Sequence, residues 1–548
     1  MALLTDLFGY LSIVLHGLVI GAQSMAMGGV LFLLGLARPF AATLPDGAAL
    51  ARRTGVIAGW SALALAAGEL LAVALQVAVL MGSVDLALAE AMTAQFAVAG
   101  SVKAAAAGVL GTVLLTPRSA PAPALLGLCA VVLAAAVMTT HAAARLAYGP
   151  VLLVATGLHM LGAAIWIGGI PFFIMALRRL RDGAAFRRVG ARFSRISMFG
   201  VACILLSAAA MTWFYIGSWG AAYGTAYGVM VGAKAAMFAA LLLLGLGNFL
   251  VVERLRTDPA TPVLRLRRFA EVEVGIGFTI FFAAASLTSV PPAVDLSQDR
   301  VTWAEIAERN TPHMPRLVSP DYDSLALSQL QAKLDAEAAR ASTAAPPAVV
   351  PGSGVPSARN AADIAWSEYN HHWAGLFVLA VGLLGLLQQA GLRAARHWPL
   401  MLLGLAGFLL VRSDPETWPL GDVGFFESLR DVEVLQHRVF VVLIVAFALF
   451  EWGVRTGRLR RPGAALVFPL LTAAGGALLL THTHAISNVK DQLLIEITHT
   501  PLALAGIGAG WARWLELRTD GPIRRVAGWA WPACFVLVGA ILLLYREA

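Results

Sequence analysis

Cysteine is nearly absent from this chain. Cys129, Cys203 and Cys534 each sit inside an apolar run, far from one another, which argues against a disulfide framework or a cysteine-rich zinc site. Charge is scarce as well: 13% of the 548 residues are charged and 59% are hydrophobic, with a mean hydropathy of +0.76. A soluble globular chain carries about 25% charged residues, so this composition is built for lipid. No Lys or Arg precedes Arg38. The positive start of a cleaved signal peptide is therefore missing, and the first apolar stretch is expected to be a retained helix. No GxxxxGK[ST] motif occurs, and no soluble segment on the arginine-rich side has the size to hold ATP. The net charge of +8 does not point to nucleic acid either. The basic residues are mostly Arg clustered between apolar runs, where they act as topology signals.

What the chain does have is long apolar runs. They lie near 8–36, 54–82, 95–115, 122–141, 151–177, 196–217, 227–252 and 270–290, then near 373–391, 398–411, 435–454, 463–482, 493–512 and 527–545. A hydrocarbon core of about 30 Å needs roughly 20 apolar residues per crossing helix, and backbone groups in lipid must be bonded internally. The expected fold is all-α, a polytopic integral membrane protein of about fourteen transmembrane helices. Arginine clusters at Arg52–Arg53, Arg178–Arg192, Arg254–Arg268, Arg393–Arg396, Arg455–Arg461 and Arg513–Arg525 fall in one set of loops. The alternate loops carry little beyond Arg145, Arg430 and Lys490. The arginine-rich set is cytoplasmic by the positive-inside rule, which places both termini in the periplasm of a bacterial inner membrane. Three regions result: an eight-helix domain over 1–292, a periplasmic segment and linker over 293–370, and a six-helix, histidine-rich domain over 371–548. The linker AAPPAVVPGSGVPSA is too poor in large apolar residues to build a core.

A weak internal repeat runs through the first domain. LHGLVIGAQSMAMGG is echoed by LHMLGAAIWIGG, SVKAAAAG by VGAKAAMF, and AAAVMTT by AAASLTS. Helices one to four and five to eight read as parallel repeats, a plan common in transporters. A second echo pairs MTTHAA and the LHML helix with LTHTHAI and the THTP helix.

The histidines are few and, apart from His397 at the cytoplasmic face, placed on one side. His141, His371, His372, His437, His482 and His484 fall at outer helix ends, whereas His16, His159 and His499 fall about two turns inside the membrane from that face. Neutral imidazole is the commonest metal ligand. Met25, Met27 and Met160 lie on the same helices as His16 and His159, Met138 shortly precedes His141, and Met314 adjoins His313. Imidazole with soft thioether favours Cu(I) over harder ions. Taken singly, a histidine at a helix end caps carbonyls as readily as it binds a metal, and a methionine usually packs. Glu69, Lys103 and Lys234 are intramembrane charges, each needing a partner or a wet cavity; Glu69 can pair with either lysine. Glu271 and Glu273 are read as interfacial partners of Arg267 and Arg268.

The strings GLHMLGAAIWIGGIPFFIMALRR, RFSRISMFGV, YGVMVGAKAAMF, RFAEVEVG and LTSVPPA resemble, in order and spacing over roughly 141–292, the copper resistance protein D (CopD) family. The resemblance extends more loosely back to His16, and the six-helix part looks like the C-terminal extension of long family members. It implies an inner-membrane protein that moves copper from periplasm towards cytoplasm, often with a small periplasmic copper-binding partner of the CopC kind. The implied role is transport rather than enzymatic, with metalloreductase activity the exception to test. The expected metal-handling residues are His16, Met25, Met27, His141, His159, Met160, His371, His372, His437, His482, His484 and His499. The competing reading is a b-type haem held between histidines of the six-helix part.

Overall fold

The computed structural model describes residues 2–44, 46–84, 86–116, 120–180, 183–297, 300–320, 361–429, 431–480 and 489–547. Eight long helices occupy the first part: α1 (Ala2–Phe32), α2 (Gly47–Val84), α3 (Gln95–Leu115), α4 (Ala122–Met138), α5 (Gly149–Trp166), α6 (Gly183–Tyr215), α7 (Ala226–Thr257) and α8 (Leu264–Leu287). A short helix, α9 (Trp303–Arg309), follows. Six more complete the chain: α10 (Ala361–Gln389), α11 (Met401–Arg412), α12 (Val432–Arg455), α13 (Val467–Leu479), α14 (Val489–Arg518) and α15 (Gly521–Leu543). Among the described residues, twelve helices are long and apolar enough to cross a membrane, and two shorter apolar ones, Ala122–Met138 and Ala464–Leu479, accompany them. The protein is an all-α polytopic membrane protein.

The chain forms two compact units, Met1–Thr302 with Ala477–Glu496 and Trp303–Gly476 with Ile497–Ala548. In the first unit α1 packs on α2, α5 and α8, and the order α1–α2–α3–α4 is matched by α5–α6–α7–α8, each helix lying beside its successor. Lipid gives helices no hydrophobic reason to associate, so small residues that let backbones approach decide where they cross. A methyl group on Gly28 would lie 2.4 Å from the Ala164 carbonyl oxygen and 2.5 Å from the carbonyl carbon of Gly168. One on Gly168 would lie 2.0 Å from the Ser24 carbonyl. The glycine pairs that end the two echoed motifs are thus pressed against each other.

Both helices depart from regularity near this crossing, α1 just past it and α5 at it. α1 runs into a widened π segment, Leu33–Ala37, and Arg192 Nε donates to the Gly35 carbonyl at 2.6 Å. α5 stops at Trp166 and resumes at Ile170, with Pro171 in the new first turn, where its missing N–H costs nothing.

The second unit is built around aromatic rings and buried charge. The Arg455 guanidinium lies 5.1 Å from the Trp398 ring centroid, 5.2 Å from Trp531 and 5.8 Å from Phe468. Its Nε donates to Glu451 Oε1 at 2.5 Å. Arg513 pairs with Glu516, which also accepts from Gln389 Nε2 at 2.7 Å. Arg455 and Arg513, which the sequence marks as topology signals, are therefore interior groups as well: five helices meet through them, their charges held by cation–π contacts and paired carboxylates.

Candidate functional site

His159 lies on α5, one turn before Gly162. A methyl on Gly162 would sit 2.6 Å from the Gly200 carbonyl of α6, so the two helices touch backbone to backbone there. That contact brings His159 Nδ1 to 3.1 Å from Ser207 Oγ. The Ser207 hydroxyl donates to the Cys203 carbonyl at 2.7 Å, with Ile204 O at 3.0 Å, so towards the imidazole it accepts. Nδ1 carries the proton, and the lone pair is left on Nε2. Fixing the tautomer through the far nitrogen is how proteins prepare an imidazole to ligate a metal. Met160, the next residue, has its sulfur 4.0 Å from Gln23 Nε2 of α1, which places a thioether at the α1–α5 contact. Met27 is fully buried and Met25 half-buried on the same helix α1.

The intramembrane charges are divided between the halves. Glu69 of α2 pairs with Lys103 of α3 at 2.7 Å, and the absence of a side chain at Gly100 leaves room for that carboxylate. His16 lies within electrostatic reach of Lys103, and His159 within reach of Lys234. Each half therefore holds a histidine near the lysine of its own repeat. Glu271 meets Arg268 at 2.6 Å and Arg178 at 3.6 Å, as an interfacial carboxylate should. Glu273 differs from its reading: it is buried and accepts from Asn248 Nδ2 at 2.6 Å. Two residues on, its side chain points to the opposite part of α8, away from the arginines. His141 is exposed, and its Nε2 lies 2.8 Å from the Thr288 carbonyl at the end of α8.

In the second unit His371, His372 and His499 gather around a residue that sequence reading passed over. The Tyr545 ring stacks on His371 at 4.0 Å and meets His499 edge-on at 6.2 Å. Its hydroxyl donates to Glu547 Oε2 at 3.0 Å, and Glu547 also accepts from Ser367. His371 Nδ1 lies 2.8 Å from the Ser367 carbonyl. Both nitrogens of the buried His372 are in use: Nδ1 accepts from the Arg316 backbone N–H at 2.7 Å, and Nε2 donates to the Tyr545 carbonyl at 2.8 Å. His372 thus clamps the chain around Arg316 and Tyr545 to α10. Glu368, one turn before His371 and His372, faces Arg316 at 3.5 Å. His437 on α12 has its Nδ1 2.7 Å from Asp414 Oδ1, and Asp414 is steadied by the Ser413 hydroxyl at 2.7 Å. Asp414 and Tyr545 were legible only as loop and helix-end residues, since nothing local marks their partners.

His482 and His484 lie outside the described residues. Among the described residues no three His, Cys, Asp or Glu side chains converge closely enough to hold a metal ion. What the structure does assemble is a set of imidazoles each oriented through one nitrogen, His141 by Thr288, His159 by Ser207, His371 by Ser367 and His437 by Asp414.

A family model described as copper resistance protein D matches residues 187–287. That stretch covers most of α6, all of α7 and α8, and so includes Ser207, Lys234, Asn248 and Glu273. A curated relative, the copper transport protein CutJ of Bacillus subtilis (strain 168), is 30% identical over 137 residues. The aligned region is 24% of this chain and 24% of that protein, so the chain spans about a quarter of the length of the curated relative it matches. No solved structure matches the chain. The matched stretch thus includes the helix that orients His159, and over these residues the chain is similar to the copper resistance protein D family.

Proposed function

We propose that the protein carries copper, as Cu(I), across the bacterial inner membrane from periplasm towards cytoplasm. The observation that carries this reading is the His159–Ser207 pair. A family-matched helix fixes the imidazole with its Nε2 lone pair available, inside a helix bundle where an unused histidine is costly. The relative's printed role in copper transport and the family's in copper resistance support the same direction of argument.

In this scheme all fourteen apolar helices cross the bilayer, and both termini and residues 293–370 face the periplasm. Copper descends from outer-face donors past His16, Met25, Met27, His159 and Met160. The Glu69–Lys103 pair keeps two charges neutralised beside that path. No step breaks or forms a covalent bond in the cargo, so the protein acts as a carrier rather than an enzyme. Energy comes from ion gradients or from copper capture on the cytoplasmic side, and a small periplasmic copper-binding protein supplies the ion.

The haem reading fits this geometry less well. A porphyrin needs open space against its axial imidazoles, and the ring packed against both His371 and His499 is that of Tyr545.

The test is cellular copper uptake at matched membrane protein levels. His159→Ala lowers uptake, whereas equal uptake by wild type and variant would remove His159 from the path. Purified protein measured for metal content and visible absorbance separates the readings: copper without a Soret band supports transport, and a Soret band that sharpens on reduction supports haem.

A further inference from the structure

The segment following α9 crosses the end of the second unit as a strap. Arg309 donates to the Glu547 carbonyl, the Arg316 N–H to His372, and Trp373 Nε1 to the Leu317 carbonyl at 3.1 Å. Arg412 bonds the Ser319 hydroxyl. Three attachments along a stretch with almost no regular structure, and a fourth from the last residue of α9, hold its backbone in place and fix what it displays.

What it displays is His313 followed by Met314. His313 is exposed, with Nδ1 2.8 Å from the Thr311 carbonyl. That contact puts the proton on Nδ1 and leaves Nε2, which has no partner among the described residues, as a lone-pair donor. Met314 is 91% exposed. A methionine normally packs, so a thioether held in solvent by a clamped backbone has no structural task. Both residues line a cavity of about 810 Å³ within this unit, together with Arg316, Glu368, His372 and Tyr545. The cationic rim is largely engaged: Arg316 faces Glu368 at 3.5 Å, and Arg546 donates to the Glu308 carbonyl at 3.1 Å.

We propose that His313 and Met314 form an acceptor site for Cu(I) at the mouth of this cavity, an imidazole and a thioether displayed by the strap. The donor pair is neutral and soft, which selects Cu(I) over zinc, magnesium or calcium. It is also incomplete as a cage, so the ion exchanges instead of being stored. This inference rests on the copper-transport reading and adds to it the place where the ion first lands. His372 holds the display rather than the metal.

The test uses the full-length protein in detergent and Ag(I), a redox-inert soft cation, as the probe. His313→Ala/Met314→Leu keeps the apolar volume of Met314 and removes both donors; as both side chains are exposed, its elution in size exclusion matches wild type. Ag(I) retention measured by mass spectrometry falls by one ion per chain in the double variant. In wild type, Ag(I) slows peroxide oxidation of Met314 several-fold in a peptide map. Equal Ag(I) retention by wild type and variant, with Met314 oxidised at the same rate whether or not silver is present, overturns the site and leaves the transport reading standing. Failure of wild type to retain any Ag(I) overturns both.

Discussion

Ser207 shows how much one hydroxyl decides. Its proton goes to the α6 backbone, so its oxygen is left to fix the His159 tautomer. Loss of a group that orients a metal ligand costs about 10–100-fold in affinity or activity. Ser207→Ala is therefore expected to lower copper uptake at limiting copper by a factor in that range, with unchanged protein in the membrane; unchanged uptake would make the bond merely structural. Glu69 gives a stability prediction at the same scale. Removing one partner of a buried pair costs about 3–5 kcal/mol, so Glu69→Gln lowers the unfolding temperature in detergent and Lys103→Met added to it restores most of the loss. An equal melting temperature for wild type and Glu69→Gln would show the pair to be solvated. Sequence reading found His159, Glu69 and Lys103 because polar groups stand out in an apolar run. It could not find Ser207 or Tyr545, because serine and tyrosine are unremarkable in such runs and their meaning comes from partners 48 and 174 residues away in α5 and α10.

Helices were the most legible part of the chain. The run at 95–115 coincides with α3, and that at 227–252 lies inside α7. α6 begins at Gly183 rather than near 196, since hydropathy registers the depth of the hydrocarbon while backbone hydrogen bonding continues into the arginine-rich turns. The interruptions were not legible: nothing local marks the π segment after α1 or the restart of α5 at Ile170, which lie beside the close approach of Gly28 to Gly168. Gly28→Leu is expected to abolish or sharply reduce folded protein by fluorescence-detected size exclusion, because the added side chain meets backbone that cannot yield. Gly108→Ala, at a position with nothing within 4 Å, serves as the comparison and is expected to leave the peak unchanged. Equal profiles for both variants would mean that the crossing is loosely packed.

For the whole molecule, the arginine distribution makes a claim about sidedness that fusions can check. A phosphatase joined within residues 341–356 is expected to be active in cells, and a green fluorescent protein inserted near residue 259 to fluoresce; the opposite pattern inverts the topology and the transport direction with it. Arg455 and Arg513 complicate any reading by charge alone. They count towards the positive side, yet they sit among rings and carboxylates in the second unit's interior. The two compact units follow a contact pattern that sequence could not reveal, since Ala477–Glu496 belongs with the first unit despite lying late in the chain.

The crossing of Gly28 on Gly168 has a further meaning. The α1–α5 seam is made by one glycine from each half, and neither tolerates even a methyl group, so the two halves are locked by what their side chains lack.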